Sequence, residues 1–362
     1  MRVLIVHDEP IERGYGAEAY VRRLVAGLRN GGDTVEVMAG ERRHHGVSKL
    51  LDVWDPVALR MVVARAGRFQ PDVVHFHNVA RELSASVLRA VPGTSSVMTL
   101  HDRRLFGARE HSPGTPRRAA ETLGAMNVLR AARRSLDATI GVSDAVSSLA
   151  RAAGFPGVAT VPVPAADPVG VLVPAAQCRD VVIAARLAPD KGVDVAIDAF
   201  AAIAADVPAS RLVIAGDGPQ RDALERRARR LGSQAVFSGW LDETELSGVL
   251  GRSRIAVVAS VPGRRPEGSS LAAVEASAHG RVVIGCDDAA VAEVVTALGA
   301  GPIVPAGDAE ALSRELGRLL TDDAAAASYA EVAARGAKAH SIAAVAAATK
   351  AVYESAVAGR RS

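Results

Sequence analysis

Aromatic residues make up only 3% of this 362-residue chain. So thin a supply leaves no stacking platforms for nucleobases, and it obliges any core to be built from Val, Leu, Ile and Ala. Lysine is scarce too: there are four, Lys49, Lys191, Lys338 and Lys350, and nearly all the positive charge is Arg. That bias reads as the mark of a GC-rich coding genome. The two cysteines, Cys178 and Cys286, lie far apart without metal spacing, which points to a reducing cytoplasm and passive thiols. No apolar run reaches the roughly 18 residues needed to span a bilayer. The opening Met1-Arg2-Val3-Leu4-Ile5-Val6-His7-Asp8 meets charge too soon for a signal peptide and reads as a buried strand. A net charge of +3, with acidic residues plentiful, implies no nucleic-acid partner. There is no Asp-x-Asp, so a metal-bridged diphosphate of that type has no support, and no metal or other cofactor is expected. Neither half carries Gly-x-Gly-x-x-Gly after a strand with an acid about 20 residues on, which sets aside a nicotinamide dehydrogenase.

What is present is a regular alternation. Hydrophobic residues are 49% of the chain, as a globular protein requires. Short, continuously apolar runs predict strands at 2–6, 34–39, 72–76, 96–100, 138–142 and 158–163, then at 180–184, 211–215, 234–237, 255–258, 282–285 and 302–304. Helical patterns fall between them, at 16–30, 56–68, 80–91, 117–134 and 144–153 in the first half. In the second they fall at 191–205, 219–231, 243–251, 270–279, 289–297, 308–321 and 323–336. Strands spaced by helices imply parallel sheets with right-handed crossovers, covered on both faces. Residues 161–176 carry four prolines and no helical period, so they read as a linker. The expected fold is therefore α/β with two doubly wound, Rossmann-like domains, 1–165 and 177–336, facing a central cleft. An Ala-rich helix follows at 341–358.

The polar residues at strand ends carry the chemistry. Glu267 and Glu275 stand eight positions apart, one closing a Pro-, Gly- and Arg-rich loop and one inside a helical segment. Gly268, Ser269, Ser270 and Leu271 open that helix, where unpaired N–H groups and the dipole attract an anion. Two carboxylates flanking a bound phosphate could take the hydroxyls of a sugar nucleotide, although such a spacing also arises on a solvated helix face. Arg186 and Lys191, after the strand at 180–184, either clamp a diphosphate or serve as an ion-pair partner and a solvated cation. Gly216-Asp217-Gly218-Pro219 allows a sharp turn close to a ligand, or is an ordinary strand-to-helix turn. Gly239, Trp240 and Leu241 end a strand where main-chain groups could read a base edge, while Phe237 beside them could simply fill the core. In the first half, Gly16 and Glu18 lie in a glycine-bearing loop after the first strand. His101-Asp102 follow the strand 96–100, where an imidazole can act on a substrate or make a structural hydrogen bond. His75, His77 and Asn78 look like a metal trio but read better as structural, because a third ligand motif is missing.

In this order the pieces resemble the retaining GT-B glycosyltransferases of family 4 across nearly the whole chain. The landmarks are Gly16-Ala17-Glu18, His101-Asp102, Gly141-Val142-Ser143, Arg186-Leu187, Asp190-Lys191-Gly192, Gly216-Asp217-Gly218-Pro219, Gly239 and the spaced pair Glu267 and Glu275. The resemblance implies an acceptor-binding first domain, a nucleotide-sugar-binding second domain and a last helix that packs back on the first. It gives Arg186 and Lys191 the diphosphate, Glu275 the ribose, Glu267 the hexose hydroxyls, Gly16 a place by the diphosphate and His101 one beside the reacting sugar. Asp102 and Glu18 are candidates for the acceptor side. A UDP-sugar donor, a small polar acceptor of the cyclitol or natural-product type, and retention by front-face attack are expected. Three departures bear on the donor: Ser269-Ser270 stand where the family usually has an aromatic-Gly pair, Val163-Pro164-Ala165-Ala166-Asp167 replaces Asn-Gly-Val-Asp, and Ala289-Ala290-Val291-Ala292-Glu293 replaces Gly-Gly-x-Pro-Glu.

Other readings compete. A GT-B nucleotide-sugar epimerase would keep the fold, and a non-catalytic sugar-nucleotide sensor would keep the binding residues. Basic clusters at Arg42-Arg43-His44-His45 and at Arg117-Arg118, Arg130 and Arg133-Arg134 could meet a membrane or a phosphorylated acceptor, but a solvated Arg-rich surface explains them more simply.

Overall fold

The structure is a computed structural model and describes residues 1–361 apart from 13, 15, 41–54, 80–82, 107–115 and 262–267. Glu267, the Arg42–His45 cluster and the loop before Glu267 therefore lie outside the described residues, as do the side chains of Arg117 and Arg118. The chain forms two units: Met1–Pro164 with Arg265–Ser269 and Ile342–Ser362, and Ala165–Arg264 with Ser270–Ser341.

The first unit is built on β1 (Arg2–His7), β2 (Thr34–Ala39), β3 (Val73–His77), β4 (Ser95–Leu100), β5 (Ala138–Gly141) and β6 (Val158–Thr160), all parallel in the order β2-β1-β3-β4-β5-β6. In β1, β3 and β4 nearly every residue is buried, which is why these strands read as unbroken apolar runs and not as alternations. Its helices are α1 (Ala17–Asn30), α2 (Pro56–Phe69), α3 (Pro116–Ser135) and α4 (Asp144–Ala152). Local chemistry starts α2: the Asp55 carboxylate accepts from the N–H groups of Val57 and Ala58, and Pro56 occupies the first position, where no N–H is needed. The helix expected over 80–91 is instead a 3-10 turn at Ala85–Arg89. Ser84 sits in left-handed backbone (φ 57°), and its hydroxyl and that of Ser86 bond the Asp55 main chain and each other, which diverts this stretch from an α-helix.

The second unit holds β7 (Asp180–Ala184), β8 (Leu212–Ala215), β9 (Ala235–Gly239), β10 (Ser253–Val258), β11 (Val282–Cys286) and β12 (Ile303–Val304), parallel in the order β12-β11-β10-β7-β8-β9. Around them run α5 (Val193–Ile203), α6 (Arg221–Ala228), α7 (Glu243–Leu250), α8 (Leu271–Ala278), α9 (Ala289–Leu298), α10 (Ala309–Thr321) and α11 (Asp323–Gly336). Phe200, Ile214, Leu316 and Leu319 are fully buried in its core, where aliphatic side chains supply most of the volume. The proline-rich stretch 165–176 clusters with this unit, with residues 167–172 exposed, and is tied to it where Val169 and Val173 donate main-chain bonds to Ser247 Oγ and Gly251 O.

The last helix, α12 (Ile342–Arg361), belongs to the first unit. It lies against α1 at Gly27, where an added Cβ would come within 2.7 Å of Ala346 Cβ. Lys350 Nζ reaches the buried Asp33 carboxylate at 2.9 Å, and the Met1 ammonium reaches it at 2.6 Å. Burial alone would raise the Asp33 pKa, but hydrogen bonds from these two cations outweigh it and hold the carboxyl below its ordinary value.

Candidate active site

In a doubly wound sheet, ligands bind at the carboxyl ends of the strands where the strand order reverses. In the second unit this point lies between β7 and β10. Arg186, Asp190 and Lys191 follow β7. Ser270, which follows β10, caps α8 by accepting from Ala273 N–H at 3.3 Å. The neighbouring strand ends are tied to this point by main-chain bonds: Leu187 N–H to Asp217 O, Gly216 N–H to Gly239 O, and Val261 N–H to Asp190 O. Gly216 and Gly192 are tight joints: an added Cβ would fall 1.9 Å from Ala185 O at Gly216 (φ 148°) and 1.9 Å from Ala259 O at Gly192 (φ 59°). The structure thus brings together Arg186, Lys191, Gly216, Gly218, Gly239, Ser270 and Leu271 along one edge of the sheet.

Their states differ. Arg186 is half-buried and pairs with Asp190, Nη2 to Oδ1 at 3.3 Å. Lys191 is half-buried. Trp240 is 50% exposed just beyond β9, and Leu241 is half-buried. Glu275 is buried on the second turn of α8, with its main-chain oxygen bonded by His279 N–H and Nδ1. Ser269 is half-buried.

In the first unit the order reverses between β1 and β3. Gly16 caps α1 with φ 71°, and Glu18 lies in that helix's first turn. Four histidines gather at the strand ends: His7 on β1, His75 and His77 on β3, and His101 after β4. Residues two apart on a strand share a face, and the His75 and His77 rings lie 4.0 Å apart. His75 uses both nitrogens, Nδ1 with the Tyr353 hydroxyl at 2.6 Å and Nε2 with the Thr99 hydroxyl at 2.7 Å. His77 Nδ1 meets His101 Nε2 at 2.9 Å, and Tyr20 stands edge-on to the His101 ring at 4.8 Å. Burial, and the mutual repulsion that any second charge would meet, pulls this group down: His75 and His101 to about 3, His77 well below its ordinary value, and His7 below as well. All four are neutral imidazoles at pH 7. Among the described residues no group of three or more His, Cys, Asp or Glu is placed to hold a metal ion.

Asp102 is occupied locally, accepting from Arg104 N–H at 2.8 Å and from its Nε at 2.7 Å. Gly268 belongs with the first unit and packs on the main chain here: a Cβ would fall 2.1 Å from His101 O. The sequence reading missed Tyr20, Tyr353 and the bond between His77 and His101. A signal for the last was present, since His77 ends β3, His101 directly follows β4, and adjacent parallel strands end side by side.

Both sheets, taken with their strand-end sites, have the GT-B glycosyltransferase architecture. Sucrose-phosphate synthase from Thermosynechococcus elongatus matches with a TM-score of 0.79 at 17% identity, over 99% of this chain and 100% of that one. Anabaena HepE in complex with UDP matches at 0.72 and 17% identity, over 98% of this chain and 100% of that one. Residues 15–164 match the Glycosyltransferase Family 4 model, and residues 178–322 match the Glycosyl transferases group 1 model. The chain belongs to the group 1 glycosyltransferases. Among curated relatives, a Mycobacterium tuberculosis GDP-mannose-dependent alpha-(1-6)-phosphatidylinositol dimannoside mannosyltransferase is 37% identical over 113 residues, 31% of this chain and 28% of that protein. A Streptomyces coelicolor exopolysaccharide phosphotransferase is 33% identical over 159 residues, 44% of this chain and 17% of that protein. The matched stretch therefore spans less than a third of either relative's length.

Proposed function

We propose that this protein transfers a hexosyl group from a nucleotide diphosphate sugar, a UDP-sugar first among them, to a hydroxyl of a small polar acceptor such as a cyclitol or natural-product aglycone. The observation that carries this reading is the second sheet's switch point, with Arg186 and Lys191 on one side and the capped start of α8 on the other. The second unit holds the donor, and the first holds the acceptor. The acceptor oxygen attacks the anomeric carbon as the bond to the diphosphate breaks. The acceptor's proton passes to a phosphate oxygen on the same face, so configuration is retained. Negative charge grows on the departing diphosphate. Arg186, Lys191 and the N–H groups opening α8 take it up without a metal, and such fixed donors act most strongly when water is excluded. Glu275 takes the ribose hydroxyls and Glu267 those of the hexose, while Trp240 and the main chain of Gly239 and Leu241 face the base. UDP bound to a solved neighbour supports the donor class. The reaction belongs in the cytoplasm. A thermal-shift screen of UDP-, GDP- and other nucleotide sugars, followed by product mass spectrometry and anomeric NMR with EDTA present, tests the reading. Donor hydrolysis at the same rate with and without every acceptor, or an inverted product, would overturn it.

One observation favours a second acceptor class. On α3, Leu123 is 56% and Met126 40% exposed, on the helix that also carries Arg130, Arg133 and Arg134. Apolar side chains beside arginines suit a lipid-linked acceptor at an anionic membrane, although among the described residues no helix is long and apolar enough to cross one. Cosedimentation with phosphatidylinositol-containing vesicles, lost in a Leu123→Glu, Met126→Glu variant, separates the two acceptor classes.

A further inference from the structure

His77 is wholly buried, and its two nitrogens are unequal. Nδ1 lies 2.9 Å from His101 Nε2, while Nε2 is buried with no hydrogen-bond partner among the described residues. A neutral imidazole carries one proton. If the proton sat on Nε2, an N–H donor would be sealed away with nothing to accept it. If it sits on Nδ1, only a lone pair is left bare and the donor is used. Orphaned buried N–H groups are the rarer and costlier defect. The second arrangement therefore prevails, and His101 Nε2 becomes an acceptor. His101 is neutral too, so its own proton must sit on the other nitrogen.

We infer that His77 is a positioning residue: it donates from Nδ1 to His101 Nε2 and so fixes His101 as the Nδ1–H tautomer, which meets its ligand as a hydrogen-bond donor and not as a base. The surroundings support a fixed state. Tyr20 lies across the His101 ring at an interplanar angle of 85° and limits its rotation. His75 does not compete for either nitrogen, because Tyr353 and Thr99 occupy it. His7 engages the Glu9 main chain through Nδ1 and stays out of the pair. Asp102, which would favour a charged His101, is offset by Arg104 and by burial. His101 is half-buried, and with Nε2 taken, Nδ1 is the nitrogen left for a ligand oxygen. A donor here suits an electron-rich sugar or phosphate oxygen and leaves the acceptor's proton to another group. Only the identity of that ligand rests on the transferase reading.

Nitrogen-15 NMR of the histidine-labelled, ligand-free protein at pH 7 reads the tautomer directly. His101 is expected to show a protonated Nδ1 and an unprotonated Nε2, and His77 the same pattern. The reverse pattern in either ring overturns the inference, whatever the enzyme's activity. Variants give a second reading. His77→Asn keeps an amide N–H near the Nδ1 position, whereas His77→Gln carries it a bond too far and His77→Leu removes it. In folded protein of unchanged circular dichroism, His77→Leu and His77→Gln should lose about tenfold or more in kcat with donor KM little changed, and their His101 signals should become a tautomer mixture. His77→Asn should keep both kcat and the spectrum near wild type. Unaltered His101 tautomers in His77→Leu would overturn the assignment, and so would equal losses in all three variants. If the spectra behave as expected but no nucleotide sugar is ever consumed, it is the transferase reading that fails.

Discussion

The strand ends of the two units carry different chemistry on the same scaffold. The strand-end site of the first is lined chiefly by neutral groups, four imidazoles and two tyrosines largely buried among the strands, with the Asp102–Arg104 pair beside them. That of the second is wetter and charged, with Arg186 and Lys191 half-buried and Trp240 exposed. An anion leaving group needs fixed positive charge, and such charge is least costly where water still reaches it. A hydroxyl-bearing partner needs directional hydrogen bonds, which neutral groups supply in a buried setting without the cost of a charge. The same βα framework thus divides electrostatics from orientation.

The sharpest way to break this comparison is to remove charge from one side. Lys191→Ala and Glu267→Ala should each lower transfer by at least about a hundredfold while thermal melting is unchanged; near-normal turnover in both would remove the donor site from the second unit. Next in size, Phe200→Ala should destabilise the second unit by about 3–5 kcal/mol, and denaturant unfolding followed separately at Trp240 and in the first unit should then split into two steps. Acid should do the reverse. His75 and His101 titrate at about 3 in the folded protein and at 6.5 when exposed. Their contribution to stability is full above 6.5 and drains away as the pH falls towards 3. The second unit's shifted carboxylates, Asp198 and Asp323, are held below 3.8 by arginines, so their contribution fades only below that. Hydrogen exchange at pH 4.5 should therefore show the first unit opening first. The smallest effect is Lys350→Ala, about 1 kcal/mol, confined to protection in α1 and α12.

The strands were legible because most are short apolar runs, and the central ones are buried on both faces, from Val3-Leu4-Ile5-Val6 to Val282-Val283-Ile284. Among the described residues the largest departure from the expected helices lies around Ser84, where side chain to main chain bonding beat helix propensity; Lys191 and Arg229–Leu231 also fall in 3-10 turns. The site was half legible. Strand-end cations and glycine turns declare themselves by position, since the sheet topology decides where they go. The partners of those residues do not. Tyr353 meets His75 across 278 residues of sequence, and no local pattern encodes that meeting. Nor could spacing tell that Asp102 would be occupied by Arg104 two residues on.

Both thiols are buried in the second unit, Cys286 donating to Ser260 O with its pKa pushed to about 11 and Cys178 also raised. At neutral pH neither offers a thiolate to a maleimide. The wild-type protein is therefore expected to react slowly with thiol dyes, which a maleimide labelling time course checks. A cysteine placed at exposed Val57 in the first unit and another at exposed Arg314 in the second would give a clean dye pair. Single-molecule energy transfer between them, with and without a nucleotide sugar, would then be read with no background label to subtract.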